Sequence, residues 1–348
     1  MIPSTSLKIR ALRGVVRRLS ACAAAALAIA CAPVGAAGIT QRPLAGQAEL
    51  TVDALSVVKV SSKAVSGARS SASLGAQREG TGVVIDSNGL VLTIGYLVTE
   101  ADKVELSTAD GKVFPATVIA SDPKTGMGLL KALTPLPVKP VDMGESSVVA
   151  ERELVLIVGF DGVAPAYVVS KRKFVGYWEY LLDEAIYTAP ATVNWQGAAL
   201  LSSDGKLLGI GSLVVGDALG TSANIPGNMF VPIDAVKPVL GDMIANGKIT
   251  TKPRPWIGVN TQEVQGILIV TRVSPEGPAE DAGLKSGDVI VGIGGKAVQG
   301  QADFYTKLWA SGAAGVDVPL DVLKGNQVQN YTVKSQDRDS YFRPRAVY

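Results

Sequence analysis

The chain has 348 residues, 33 basic against 31 acidic, with two cysteines and no histidine. Without an imidazole it has no histidine base. Because Cys22 and Cys31 both lie near the N-terminus, the rest of the chain has no disulfide and no thiolate metal site, so neither a zinc or copper centre nor any other cofactor is expected.

The N-terminus reads as an export signal. Residues 1–18 carry Lys8, Arg10, Arg13, Arg17 and Arg18 with no acid, and Leu19 to Ala30 form a short apolar run ending in small residues. A bilayer-spanning helix needs about 20 apolar residues, and this run is shorter. Val34-Gly35-Ala36 has the small-residue spacing for ordinary signal peptidase, and a signal of residues 1–37 and a periplasmic protein are expected. Ala28-Ile29-Ala30-Cys31 also resembles a weak lipobox, and Leu19-Ser20-Ala21-Cys22 matches one locally but follows no apolar stretch; membrane contact is expected only if Cys31 is lipidated. Removing the five cations of residues 1–37 leaves 28 basic and 31 acidic residues, a net charge of about −3. No nucleic-acid partner is therefore implied.

Residues 38–54 form an N-terminal segment, and Gly38 to Val60 holds no aromatic residue. Residues 55–247 then read as a β-rich domain of short segments separated by Gly, Asp, Asn and Pro turns, among them Leu90-Val91-Leu92-Thr93 and Leu154-Val155-Leu156-Ile157-Val158. Ser61 to Gly80, rich in Ser, Ala and Gly, reads as a mobile loop. A helix capped by Asp234 runs towards Asn246. Phe174, Tyr177, Trp178, Tyr180 and Tyr187 form an aromatic cluster that either lines a partner surface or packs into the domain. Residues 248–255, with Pro253 and Pro255, form a stiff linker.

The second domain spans residues 256–337, before a tail at 338–348. Trp256-Ile257-Gly258-Val259, Ile267-Leu268-Ile269-Val270, Pro278-Ala279-Glu280-Asp281-Ala282-Gly283-Leu284 and Lys285-Ser286-Gly287-Asp288-Val289-Ile290 closely resemble a bacterial PDZ domain, with a further helix near Ala302 to Ala310. That resemblance makes Trp256, Ile257, Gly258 and Val259 a peptide-binding site, a nest of backbone amides for a terminal carboxylate, with Gly258 turning the amides inward. The alternative is that Trp256 and Ile257 plug the domain's core.

A trypsin-like domain followed by one PDZ domain resembles the HtrA (DegP-like) serine proteases, and Gly80-Thr81-Gly82-Val83-Val84-Ile85 is similar to that family's first hairpin. The fold implied is mainly β, a chymotrypsin-like double β-barrel followed by a PDZ domain. Where the family has Thr-Asn-x-His-Val, this chain has Thr93-Ile94-Gly95-Tyr96-Leu97-Val98. Its Asp-x-Ala-x-Leu segment is Gly126-Met127-Gly128-Leu129-Leu130. Counting back from Asp204-Gly205-Lys206-Leu207-Leu208-Gly209-Ile210 puts the Gly-Asn-Ser-Gly-Gly loop on Asn194-Trp195-Gln196-Gly197-Ala198.

Tyr96, Gly126 and Gln196 thus stand at the three triad positions. A carboxamide is a poor nucleophile, since it has no proton whose removal yields a usable anion, and Asn194 replaces a glycine of the oxyanion loop. A moved site pairing Ser202 or Ser203 with Lys206 is the rival, although these read as turn residues. The implied protein is a pseudoprotease of the cell envelope, acting as an adaptor, a chaperone-like holder or a regulator of an active HtrA-type relative. Unfolded polypeptides or protein C-termini are the implied ligands, and oligomerisation is left open. The alternative is an active HtrA-family endopeptidase with a non-standard site.

Overall fold

The computed structural model describes residues 55–342; the expected signal at 1–37 with Cys22 and Cys31, and the segment 38–54, lie outside the described residues. The first barrel is built from β1 (Val57–Ala64), β2 (Gln77–Val84), β3 (Leu90–Ile94), β4 (Ala101–Ser107), β5 (Val113–Asp122) and β6 (Met127–Ala132). It closes in the order β1-β2-β3-β6-β5-β4, with β4 returning to β1 antiparallel. Alternation in β1 sends Val58 and Val60 inward against Val83, Leu92, Leu106 and Leu129, all essentially without solvent exposure.

The stretch from Ser61 to Gly80 is ordered, contrary to the mobile loop its composition suggests: it holds the end of β1, the helical turn α1 (Ser71–Leu74) and the start of β2. Buried Arg78 supplies the reason. Its guanidinium donates to the carbonyls of Gly75, Tyr96 and Thr99 and to Ser70 Oγ, while the Glu100 carboxylate accepts from the Arg69 and Ser70 amides. Small polar residues here are turn material gathered around one buried cation.

The second barrel comprises β7 (Leu154–Gly159), β8 (Gly162–Gly176), β9 (Tyr180–Ala189), β10 (Ala199–Leu201), β11 (Leu207–Val215) and β12 (Gly227–Pro232), closed in the order β10-β11-β12-β9-β8-β7. Helix α2 (Ile233–Asn246) follows it, buries Ile233, Val236 and Met243, and ends at left-handed Gly247. Asp234 is not its N-cap. It lies in the first turn, after Pro232, and its carboxylate accepts from the Ser147 amide and Lys237 Nζ.

The remaining sheet runs β13-β14-β15-β17-β18, from β13 (Val259–Val264), β14 (Ile267–Val273), β15 (Val289–Ile293), β17 (Asp317–Lys324) and β18 (Gln327–Lys334), with β16 (Lys296–Ala297) paired to β15. The short α3 (Pro278–Asp281) and the longer α4 (Gln301–Ala310) cover it, and Ile257, Leu268, Phe304, Leu320 and Val322 fill its core. Val175 and Leu181, which belong to β8 and β9, pack against that same core. Residues 338–341 form a last turn, α5, whose Tyr341 ring lies 4.7 Å from Trp256. Among the described residues no helix is long and apolar enough to cross a membrane.

Candidate functional site

Two places concern function, and the first is where the barrels meet. Tyr96 lies in a 3-10 turn, Gly95–Leu97, directly after β3. The Gly95 amide donates to the Gly126 carbonyl at 2.6 Å, and the Tyr96 ring is 6.4 Å from that of Trp195. The Gln196 carbonyl accepts from the Thr81 amide of β2 at 2.7 Å. The three positions singled out from the sequence therefore lie around one junction.

Burial and packing set the surroundings of each. Burial pushes the Tyr96 phenol far above its ordinary pKa, and its Oη donates to the Ser212 carbonyl at 3.3 Å. Gly126 adopts φ +76°, and a Cβ built there would lie 3.1 Å from Tyr180 Oη, itself donating to the Thr125 carbonyl at 2.6 Å. A tyrosine thus occupies the space into which a side chain at 126 would project. The Asn194 amide, where an oxyanion loop needs a free donor, faces Thr192 Oγ1 at 3.4 Å. Gly197 has φ +74°, and its Cβ would meet the Thr81 carbonyl at 2.2 Å, so the close approach of this turn to β2 requires glycine there.

The rival serine is a turn residue. Ser202 Oγ donates to the Asp204 carboxylate and accepts from the Lys206 amide, while Lys206 Nζ pairs with Asp204 at 3.2 Å. Lysine and serine each face the aspartate.

The second place is the start of β13. Gly258 adopts φ +82°, and the amides of Ile257, Gly258 and Val259 converge on one point. There they meet a carboxylate supplied by the chain itself. Glu179 Oε1 accepts from Gly258 at 2.7 Å and Val259 at 2.9 Å, and Oε2 from Ile257 at 3.2 Å. Trp256 takes no part; its backbone pairs with Gln336 and its buried ring packs on Tyr341.

Glu179 sits at the tip of the β8–β9 hairpin. Gly176 and Tyr180 face one another, leaving Tyr177, Trp178 and Glu179 as a three-residue turn. The third residue of such a turn takes the left-handed conformation and favours glycine; Glu179, at φ 55°, adopts it with a full side chain. The tip lies along β13, the Thr261 amide donating to the Tyr177 carbonyl at 2.9 Å. From α4, Tyr305 Oη donates to the Gly176 carbonyl at 2.9 Å and accepts from the Glu179 amide, and Gln301 Nε2 reaches Tyr305 and Thr261.

Glu179 is only 6% exposed, and burial pushes its carboxyl up to about 7, against the pull of three backbone amides and of Arg338 on α5. Hydrogen bonds to a charged group are worth roughly 1.5–3 kcal/mol each; desolvation here outweighs them.

The aromatic cluster divides. Tyr187 is buried in the second barrel, under the Arg172 guanidinium. Trp178 stacks on Tyr180 with ring centroids 5.5 Å apart, and Tyr177 remains exposed at the tip. Glu179, Gln301 and Tyr305 were not visible as site residues in the sequence, where Glu179 is one acid among 31. The only local signal was the concentration of aromatics at 174–180.

Comparison with known proteins agrees with this architecture. Residues 80–210 match the trypsin-like peptidase domain, and residues 255–335 match the PDZ domain. HhoA of Synechocystis sp., named as a serine protease, is 27% identical over 74% of this chain and 70% of its own length. A DegP-like protein of Pseudomonas putida, named as a periplasmic serine endoprotease, is 28% identical over 74% of this chain and 56% of its own. The chain spans about half the length of the DegP-like relatives. Among solved structures, a serine-to-alanine variant of the HtrA-type protease AlgW with tripeptide aligns with a TM-score of 0.51 at 21% identity, covering 84% of this chain and 95% of that one, a likeness of fold. With both domains matched in this order and such relatives across most of its length, the chain is a homologue of the HtrA/DegP-like serine proteases, built from a trypsin-like peptidase domain and a PDZ domain.

Proposed function

We propose that this protein is a non-cleaving HtrA-type protein of the periplasm that binds polypeptides, in particular free C-termini, through the PDZ groove. The observation that carries the reading is the nest of three amides, which already holds a carboxylate from a turn whose Tyr177 carbonyl accepts from the Thr261 amide of β13. A terminal carboxylate on a peptide strand makes the same demands. The loss of cleavage is supported by the composition of the barrel junction: no histidine exists in the chain, a buried tyrosine holds its proton, and Gln196 stands in the nucleophile turn. Unfolded chains, protein C-termini and an active HtrA-type relative are the partners this reading implies, and adaptor, holder or regulator the roles. No nucleic acid, metal or other cofactor is part of it.

The names of the relatives favour the opposite reading, an active serine endopeptidase. One experiment separates them. The mature protein is incubated with unfolded casein and with a serine-directed phosphonate, beside an active DegP-type enzyme. Neither cleavage nor labelling above background is expected; specific labelling of a serine, abolished by replacing that serine, would refute inactivity.

A further inference from the structure

We infer that the tip of the β8–β9 hairpin is a resident ligand of the PDZ groove, and that an external peptide binds only by displacing it. The inference rests on the peptide-binding reading above and specifies how that site is regulated.

The tip meets the groove's requirements one by one. Its carboxylate takes all three nest amides. Its backbone pairs with β13 through Tyr177, and α4 closes the other side through Tyr305 and Gln301. Behind it, Val175 and Leu181 add apolar contact with the PDZ core. A hairpin turn alone needs none of this. The third turn position is one where glycine is preferred and a non-glycine residue is strained; the glutamate there is held by groups belonging to the other domain. Its covalent attachment also gives it a high effective concentration, so it needs little intrinsic affinity to keep the groove closed.

The test uses the full chain and three variants. Glu179→Gln keeps the shape but turns an amide nitrogen towards donors. Glu179→Ala removes the carboxylate. In the third, Tyr177-Trp178-Glu179 is replaced by a two-residue Asn-Gly turn, which suits a β-hairpin and preserves the strands if the single substitutions disturb them. Amide hydrogen exchange reads nest occupancy directly. Binding is read by fluorescence anisotropy with labelled seven-residue peptides that end in a free apolar residue, and with the same peptides amidated.

Slow exchange at Ile257, Gly258 and Val259 is expected in the parent chain and fast exchange in all three variants. The alanine and turn variants should bind the free peptides about tenfold more tightly than the parent, the factor expected when about one molecule in ten has an open groove. Amidated peptides should gain nothing. Equal affinity in parent and variants, or unchanged exchange at the nest, would overturn the inference. Faster exchange in the variants with no peptide binding by any form would support the internal occupancy and refute the peptide-binding reading instead.

Discussion

The docked carboxyl of Glu179 makes stability depend on pH in a direction that can be stated in advance. Its pKa rises from 4.5 to about 7 on burial. Below the lower value both folded and unfolded chains hold the proton. Between the two values the folded chain keeps a proton that the unfolded chain releases, so the group's contribution to stability is present at low pH and is lost as pH rises through about 7. The span corresponds to about 3 kcal/mol at roughly 1.36 kcal/mol per pH unit. The groups facing this carboxyl do not obscure the window. Tyr305 from α4 is pushed up to about 12 by burial, Tyr180 is also raised by burial, and burial lowers Arg338, though a guanidinium starts far above this window. Asp339, raised to about 6 by desolvation and by Asp337, does titrate there. Comparison with Glu179→Gln removes its contribution to first order. Urea unfolding followed by tryptophan fluorescence at about pH 5 and about pH 8 should therefore show the parent losing about 2–3 kcal/mol relative to that variant. A gap that stays flat, or widens in favour of the parent at high pH, would refute the reasoning, because the three amides and Arg338 would then govern the carboxyl and not its burial.

Combining Tyr96→His, Gly126→Asp and Gln196→Ser should leave casein uncleaved, because residue 126 is left-handed and its Cβ meets Tyr180 Oη; measurable turnover in a casein assay would count against this account of the junction. Arg78→Met should cost about 3–5 kcal/mol in thermal or urea unfolding, since it strands the carbonyls of Gly75, Tyr96 and Thr99 around a vacated cation site beside Glu100; a loss under about 1 kcal/mol would mean that water satisfies those groups. Gly258→Val should destabilise the PDZ domain by about 2 kcal/mol or more, through its left-handed φ and a Cβ only 3.0 Å from the Trp256 ring. An undiminished Tm in calorimetry would exclude that packing.

Much of this architecture was legible because it rests on local patterns. The turn-punctuated apolar segments of residues 55–247 form two barrels, and Pro278 to Ile290 was recognisable as PDZ because its glycines sit at turns and its aliphatics at core positions. Ser61 to Gly80 was misjudged because composition does not reveal that Arg78 is buried, and three of its partners are unremarkable backbone carbonyls. Asp234 was misjudged because an aspartate two positions past the N-cap looks the same in sequence as one at the cap. The nest residues Ile257, Gly258 and Val259 could be read from the PDZ motif, but their partner could not. Glu179 lies some 80 positions away, and only closure of the second barrel carries the hairpin to β13.

Glu179 and Tyr180 are neighbours in the chain, about 3.8 Å apart at Cα, yet their side chains are anchored in different domains, one in the nest of β13 and the other against Gly126 and the Thr125 carbonyl. Neither anchor can travel far alone. One peptide bond thus joins a carboxyl held by the PDZ amides to a phenol packed against residue 126, so the linkage between the two domains at this point is covalent as well as packed.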